Sequence, residues 1–121
     1  MPAIGQLAAV TLDAPDPQAL AAFYAGLTGW QTLYASDDFV YIGTPDGAQR
    51  LGFQRATEFR RPSWPGDDKQ VHLDFGVADL AEAERELTAL GATRPEHQPG
   101  GDKWVVLLDP AGHPFCVTTM V

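Results

Sequence analysis

The sequence predicts an α+β protein made of two tandem βαβββ modules. The order strand, capped helix, short strands occurs twice along its 121 residues. The helix caps Asp16 and Asp79 are 63 positions apart, and the turn glycines Gly47 and Gly112 are 65 apart. A near-constant offset between two unrelated kinds of landmark is what an internal duplication produces. A module of this size is marginal alone, so the pair is expected to share one core. The expected organisation is a single domain over 1–121, with module 1 at about 5–56, a linker at 57–70 and module 2 at 71–121.

The first module opens with a strand over Gln6 to Leu12. Asp16 then suits a helix N-cap and Pro17 the first helical position. Leu20, Phe23, Tyr24 and Leu27 form one apolar stripe, and Gly29 stops the helix. Strands follow over Trp30 to Ala35, Phe39 to Gly43 and Leu51 to Arg55, with Pro45-Asp46-Gly47 turning between the last two. The linker holds Arg60, Arg61, Pro62, Trp64, Pro65 and Gly66 without sustained periodicity, and its Trp64 suits a lid.

The second module repeats the order. Val71 to Val77 is a strand, and Asp79 caps a helix with Glu82 placed for a capping box. Leu80, Ala83, Leu87 and Leu90 are its expected buried stripe, and Gly91 ends it. Strands near Thr93 to Glu96, Lys103 to Leu108 and Phe115 to Met120 complete the set, with Asp109-Pro110-Ala111-Gly112 as the final turn.

Composition narrows the function. Lys plus Arg is 8 against 16 Asp plus Glu, a formal net charge of −8, which repels phosphate backbones and anionic lipid. Nucleic-acid and membrane partners are therefore not expected, and a cationic or neutral ligand is favoured. The single cysteine, Cys116, excludes an internal disulfide and a cysteine-rich zinc site, in keeping with a reducing cytoplasm. No apolar run approaches the roughly 20 residues of a membrane span, and the N-terminus does not read as a signal peptide.

Strand alternation sorts side chains between two faces. Ala8, Val10 and Leu12 form a helix-packing set, as do Val40 and Ile42, and Val71, Leu73 and Phe75. The other face carries Thr11, Asp13, Phe39, Tyr41, Gln54, His72, Asp74, Trp104, Cys116 and Thr118. Aromatic walls with a few polar groups suit a small-molecule pocket, and an ordinary core face does not gather two carboxylates, a histidine and an amide. Each residue also has a plainer reading. His72 serves as a hydrogen-bonded structural histidine, Asp74 faces solvent at a strand end, and Cys116 is a small buried hydrophobe. Trp30 packs in the core, Arg60 and Arg61 are solvated or contact an anion, and His113 sits exposed in a turn.

Leu12-Asp13-Ala14-Pro15-Asp16-Pro17 leading to Ala22-Phe23-Tyr24 and Gly29-Trp30 resembles the first module of glyoxalase-like domains. Val71-His72-Leu73-Asp74-Phe75 with Val77-Ala78-Asp79-Leu80 resembles the second, and Asp109-Pro110-Ala111-Gly112-His113 with Phe115-Cys116-Val117 resembles the closing hairpin. The family is the vicinal oxygen chelate superfamily, which includes glyoxalases, bleomycin resistance proteins and dioxygenases. The resemblance implies a curved mixed sheet around a cleft, helices outside, and the second face turned inward. It also implies a homodimer with sites shared between subunits. The family's metal positions fall on Ala9, Gly52, His72 and Cys116, of which only His72 keeps the usual ligand chemistry. No metal cofactor is therefore expected. An alternative site of Asp13, Gln54, His72 and Asp74 would lie further along its strands than the family positions.

The expected function is a binding protein that sequesters a drug-like or metabolic small molecule, as in antibiotic resistance. The alternatives are a metal-dependent lyase or dioxygenase, a metal-free acid/base enzyme using His72 and Asp74, or a regulatory module with a vestigial cleft.

Overall fold

The computed structural model describes residues 3–66 and 69–120. Asp67 and Asp68 of the expected linker, and Val121 at the expected end of module 2, lie outside them. The chain divides into two compact units, Met1–Phe59 and Arg60–Val121. The division falls inside the expected linker.

In the first unit the elements are β1 (Val10–Ala14), α1 (Pro17–Thr28), β2 (Gln31–Ala35), β3 (Phe39–Gly43) and β4 (Arg50–Arg55). The sheet order is β1-β4-β3-β2, with β1 parallel to β4 and the other pairs antiparallel. Helix α1 starts where Asp16 accepts a hydrogen bond from the Ala19 N–H at 3.2 Å. It stops at Gly29, whose φ of 73° lets its N–H reach the Ala25 carbonyl at 2.8 Å. Leu20, Phe23 and Tyr24 are buried, and the Tyr24 ring stacks on Phe53 of β4 at 5.6 Å between centroids. The core of this unit is that stripe against Leu12, Val40, Ile42, Leu51 and Phe53.

The second unit contains β5 (Leu73–Gly76), α2 (Leu80–Leu90), β6 (Trp104–Leu108) and β7 (Pro114–Thr118). Its sheet order is β5-β7-β6, with β5 parallel to β7 and β6 antiparallel to it. This repeats β1-β4-β3. A lone antiparallel bridge from Thr93 to Leu108 stands where β2 lies in the first module. The fold is thus α+β, with two βαβββ modules that each form a mixed sheet. The turns match as well. Asp46 Oδ1 accepts from the Ala48 N–H before Arg50 begins β4, and Asp109 Oδ1 accepts from the Ala111 and His113 N–H groups before β7.

Where strands end differs from the sequence expectation, and two prolines supply reasons. The expected strand at Thr93 to Glu96 is reduced to the bridge at Thr93. Its next ladder partner would be Pro95, which has no N–H to donate. The Gln98 side chain takes over, accepting from the Val106 N–H at 2.9 Å and donating to the Val106 carbonyl at 2.8 Å. Similarly, β5 begins at Leu73 opposite Phe115, because the residue preceding Phe115 is Pro114 and cannot extend the ladder. Val71 is 70% exposed in consequence. β1 starts at Val10, paired with Leu51, so Gln6 to Ala9 stand outside the ladder and Ala8 is exposed rather than packed.

Two apolar expectations also shift. Trp30 is half-buried rather than a core residue, and Leu90 is 44% exposed, leaving Leu87 as the buried member of the α2 stripe. Leu90 ends the helix one residue before Gly91, and the chain turns away there before it can be covered.

Gly52 on β4 is enclosed by its own sheet. A Cβ there would lie 2.7 Å from Thr11 Oγ1, 2.9 Å from the tip of the Phe39 ring and 3.1 Å from the Tyr41 ring. The two rings brace each other edge-on at 4.5 Å, so neither swings aside freely. Gly52→Ala is expected to destabilise by about 1–3 kcal/mol through overpacking, as read from the denaturant midpoint.

Candidate functional site

Nine of the ten residues predicted for the second face lie in strands with the register of that face, and His72 immediately precedes β5. In the first unit, register places Thr11, Gly52 and Tyr41 in one row across β1, β4 and β3. Asp13, Gln54 and Phe39 form the next row. Thr11, Asp13 and Gln54 are exposed and the two rings half-buried, while Leu12, Val40, Ile42 and Phe53 are buried on the opposite side. The Arg50 guanidinium lies over the Tyr41 ring at 5.9 Å, a cation–π distance.

The second unit repeats the two rows. Asp74, Cys116 and Val106 align across β5, β7 and β6, followed by Gly76, Thr118 and Trp104. This face lines a cavity of about 450 Å³. All five predicted residues of this unit line it: His72, Asp74, Trp104, Cys116 and Thr118. Trp64 lines it too, as a lid residue would. Val106, which shares the parity of Trp104 and so the second face by alternation, lines it as well. Residues that the sequence reading did not place there are Lys69, Pro99, Pro114 and Met120. They lie outside strands or begin one, where alternation gives no signal.

Both tryptophans are held in place. Trp104 lies against Gly100, where a Cβ would be 2.5 Å from the indole, so only glycine fits there. Trp64 donates its indole N–H to the His97 carbonyl at 3.1 Å, and the Lys69 ammonium lies over its ring at 5.4 Å. Thr118 is buried and already engaged: its hydroxyl donates to the Lys103 carbonyl and accepts from the Met120 N–H. Its role is to close the end of β7 rather than to offer a free hydroxyl.

His72 and Asp74 form the polar side of the cavity. The imidazole Nε2 is 3.3 Å from Asp74 Oδ1, and the two side chains are 43% and 60% exposed. Asp74 is therefore positioned both to orient the ring and to meet a ligand. Cys116 is buried beside them. Burial, then the Asp74 charge and hydrogen bond, push its thiol up from 9.0 to about 11, against a weaker opposing pull from Lys69. The protonated thiol is thus the form held at neutral pH, as suits a packed side chain rather than a nucleophile.

The family's metal positions do not make a divalent-metal site of the usual kind. Ala9 and Gly52 offer no donor atom, and the space a side chain at Gly52 would need is taken by Thr11, Phe39 and Tyr41. The hard N/O donor set that such ions prefer is absent from those four residues.

A family model described as a glyoxalase-like domain matches residues 9–118. No curated protein matches the chain. Among solved structures, one similar chain is a glyoxalase/bleomycin resistance protein/dioxygenase family enzyme from Burkholderia phytofirmans PsJN. It is 22% identical with a TM-score of 0.72, over 93% of this chain and 97% of that one. Another is a point mutant of the fosfomycin resistance protein FosX from Listeria monocytogenes, complexed with Mn(II) and 1S,2S-dihydroxypropylphosphonic acid. It is 16% identical with a TM-score of 0.74, over 98% of this chain and 95% of that one. FosX from Mesorhizobium loti is 18% identical with a TM-score of 0.70, over 98% and 94%.

The thiol's state has a direct readout. At pH 8, iodoacetamide should alkylate Cys116 in the folded protein about a hundredfold more slowly than in the urea-unfolded chain. The folded-state rate should climb only as pH nears about 11, where the folded thiol ionises. The sign for stability agrees: a proton held more tightly in the folded state favours folding below pH 9.0, and that advantage is lost between 9.0 and about 11. Equal alkylation rates in both states would contradict the buried, carboxylate-facing thiol.

Proposed function

Because the chain belongs to the glyoxalase-like domain family, we propose that it binds a drug-like or metabolic small molecule without the family's metal. The observation that carries this reading is the cavity in the second unit, in which two anchored tryptophans face His72 and Asp74. Aromatic walls supply contact area, and the imidazole and carboxylate supply orientation. A volume of about 450 Å³ falls within the range of small-molecule pockets. The absence of donor side chains at Ala9 and Gly52 supports binding without an ion such as the Mn(II) with which the Listeria FosX mutant is complexed. The net charge of −8 favours a cationic or neutral ligand.

The reading carries further proposals. Thr11, Asp13, Phe39, Tyr41 and Gln54 serve as the first module's share of ligand contacts, and residues 1–121 act as one domain. The protein works in the cytoplasm as a homodimer, without nucleic-acid or membrane partners. Among the described residues no helix is long and apolar enough to cross a membrane. Antibiotic resistance is one role such a binder would fill. Light scattering on the purified protein tests the dimer.

A second reading rests on the 3.3 Å approach of His72 to Asp74, which is the geometry of an oriented acid/base pair. Metal-free turnover that is lost in His72→Ala, with ligand affinity retained, would favour it over simple binding.

Intrinsic fluorescence tests the binding reading. Among a panel of cationic, neutral and anionic small molecules, a binder should alter tryptophan emission saturably. Trp104→Ala should abolish that change or weaken affinity by about tenfold or more, the loss expected when a desolvated aromatic anchor is removed. An unaltered isotherm in Trp104→Ala would sink the assignment of this cavity.

A further inference from the structure

Several donors that line the second unit's cavity are committed within the protein. The Thr118 hydroxyl donates to the Lys103 carbonyl, and the Trp64 indole N–H donates to the His97 carbonyl. The Cys116 thiol hydrogen-bonds to Asp74, and His72 Nε2 lies 3.3 Å from the same carboxylate. What the wall still offers is of another kind. A carboxylate has about four acceptor positions, so Asp74, 60% exposed, keeps room for a donor that a ligand brings. The indoles of Trp64 and Trp104 add π-systems, whose faces carry partial negative charge. Carboxylates and aromatic faces share one preference, for a positively charged group.

The protein already places a cation there. Among the described residues that line the cavity, Lys69 is the one lysine or arginine. Its ammonium lies over the Trp64 ring at 5.4 Å, within cation–π reach. It is also near enough to Cys116 to pull that thiol's pKa down against the effect of Asp74. Lys69 stands outside the strands on a flexible four-carbon stem, so its head can leave the ring when another cation arrives. An anionic ligand could pair with Lys69 only by meeting the Asp74 carboxylate, and the net charge of −8 opposes its approach.

We propose that this cavity selects organic cations of the arylalkylammonium class, the ammonium held by Asp74 and the aromatic walls, with Lys69 as its internal competitor. Cation selection rests on the small-molecule reading of the same cavity and adds the ligand's charge and the groups that hold it.

Isothermal titration calorimetry with phenethylammonium, phenethyl alcohol and phenylacetate tests one skeleton with a positive, a neutral and a negative end. The ammonium should bind about tenfold or more tighter than the alcohol, as a charge-assisted hydrogen bond warrants, and phenylacetate should bind most weakly. Asp74→Asn should cut the ammonium-to-alcohol affinity ratio by about tenfold. Lys69→Gln should raise that ratio about two- to fivefold, as a competing cation leaves the ring. Both changes fall on partly exposed side chains, and a ratio taken within each variant cancels any general loosening of the cavity. Equal binding of all three compounds, weakened in Trp104→Ala, would overturn cation selection and leave the pocket reading standing. A preference for phenylacetate, an ammonium that does not bind, or a ratio unchanged in both variants would overturn it too.

Discussion

In the second unit Asp74 faces Cys116 across a parallel ladder, and Cys116 faces Val106 across an antiparallel one, so three strands present one continuous row to the cavity. That register is the constraint on which the site depends. Side chains alternate with period two, and a slip of one residue between β5 and β7 would send Asp74 into the helix-packing layer and bring Phe75 to the cavity. The packing resists such a slip. Phe115 and Val117 are fully buried on the opposite face, and Phe75 meets Phe115 edge-on at 5.9 Å. Exposing Phe115 alone would cost about 1.5–3 kcal/mol. The apolar layer thereby positions the polar one.

The features readable in advance were those whose cause is local. Asp16 and Asp79 cap helices because a carboxylate can satisfy an N–H three residues on, and both do so here. Alternation sorted nine of the ten candidate residues onto one face of their sheets, with His72 just before β5, since period two needs no tertiary information. Strand ends were less legible, because a ladder is only as long as both partners allow. The strand expected at Thr93 to Glu96 holds a single bridge, since Pro95 cannot donate and the Gln98 amide serves Val106 in its stead. No pattern within 93–96 announces that a glutamine two positions further on will act as a strand. Lys69, Pro99 and Met120 were missed at the cavity for a related reason: they reach it from irregular segments, where side-chain direction follows from the path of the chain rather than from a period.

Gly52 ties the fold to the chemistry. On β4 it lies between Thr11 and Tyr41 in a row where every side chain but its own is present. The two aromatic rings and the threonine hydroxyl close over the missing Cβ. A glutamate or histidine at this position would have to displace them. The absence of a donor is therefore built into the packing of the first sheet, and a single substitution would not simply restore it. In the second unit the corresponding β7 position is Cys116, buried and also closely packed, but with a sulfur rather than nothing at its tip. The two modules keep the same topology and have diverged in what that row can hold.

The cavity residues divide into those that are anchored and those that can respond. Trp104 is set against Gly100, and Trp64 is tied to His97 through its indole N–H. Thr118 spends its hydroxyl on Lys103 and Met120. These groups lose little freedom when a ligand arrives, which lowers the entropic cost of binding. His72 and Asp74 are different. They are 43% and 60% exposed and joined by one contact of 3.3 Å, so a ligand can part them at little expense. A rigid apolar wall facing a yielding polar pair favours recognition by shape first, with charge and hydrogen bonding adjusted afterwards. That order suits the small-molecule binding proposed for this cavity.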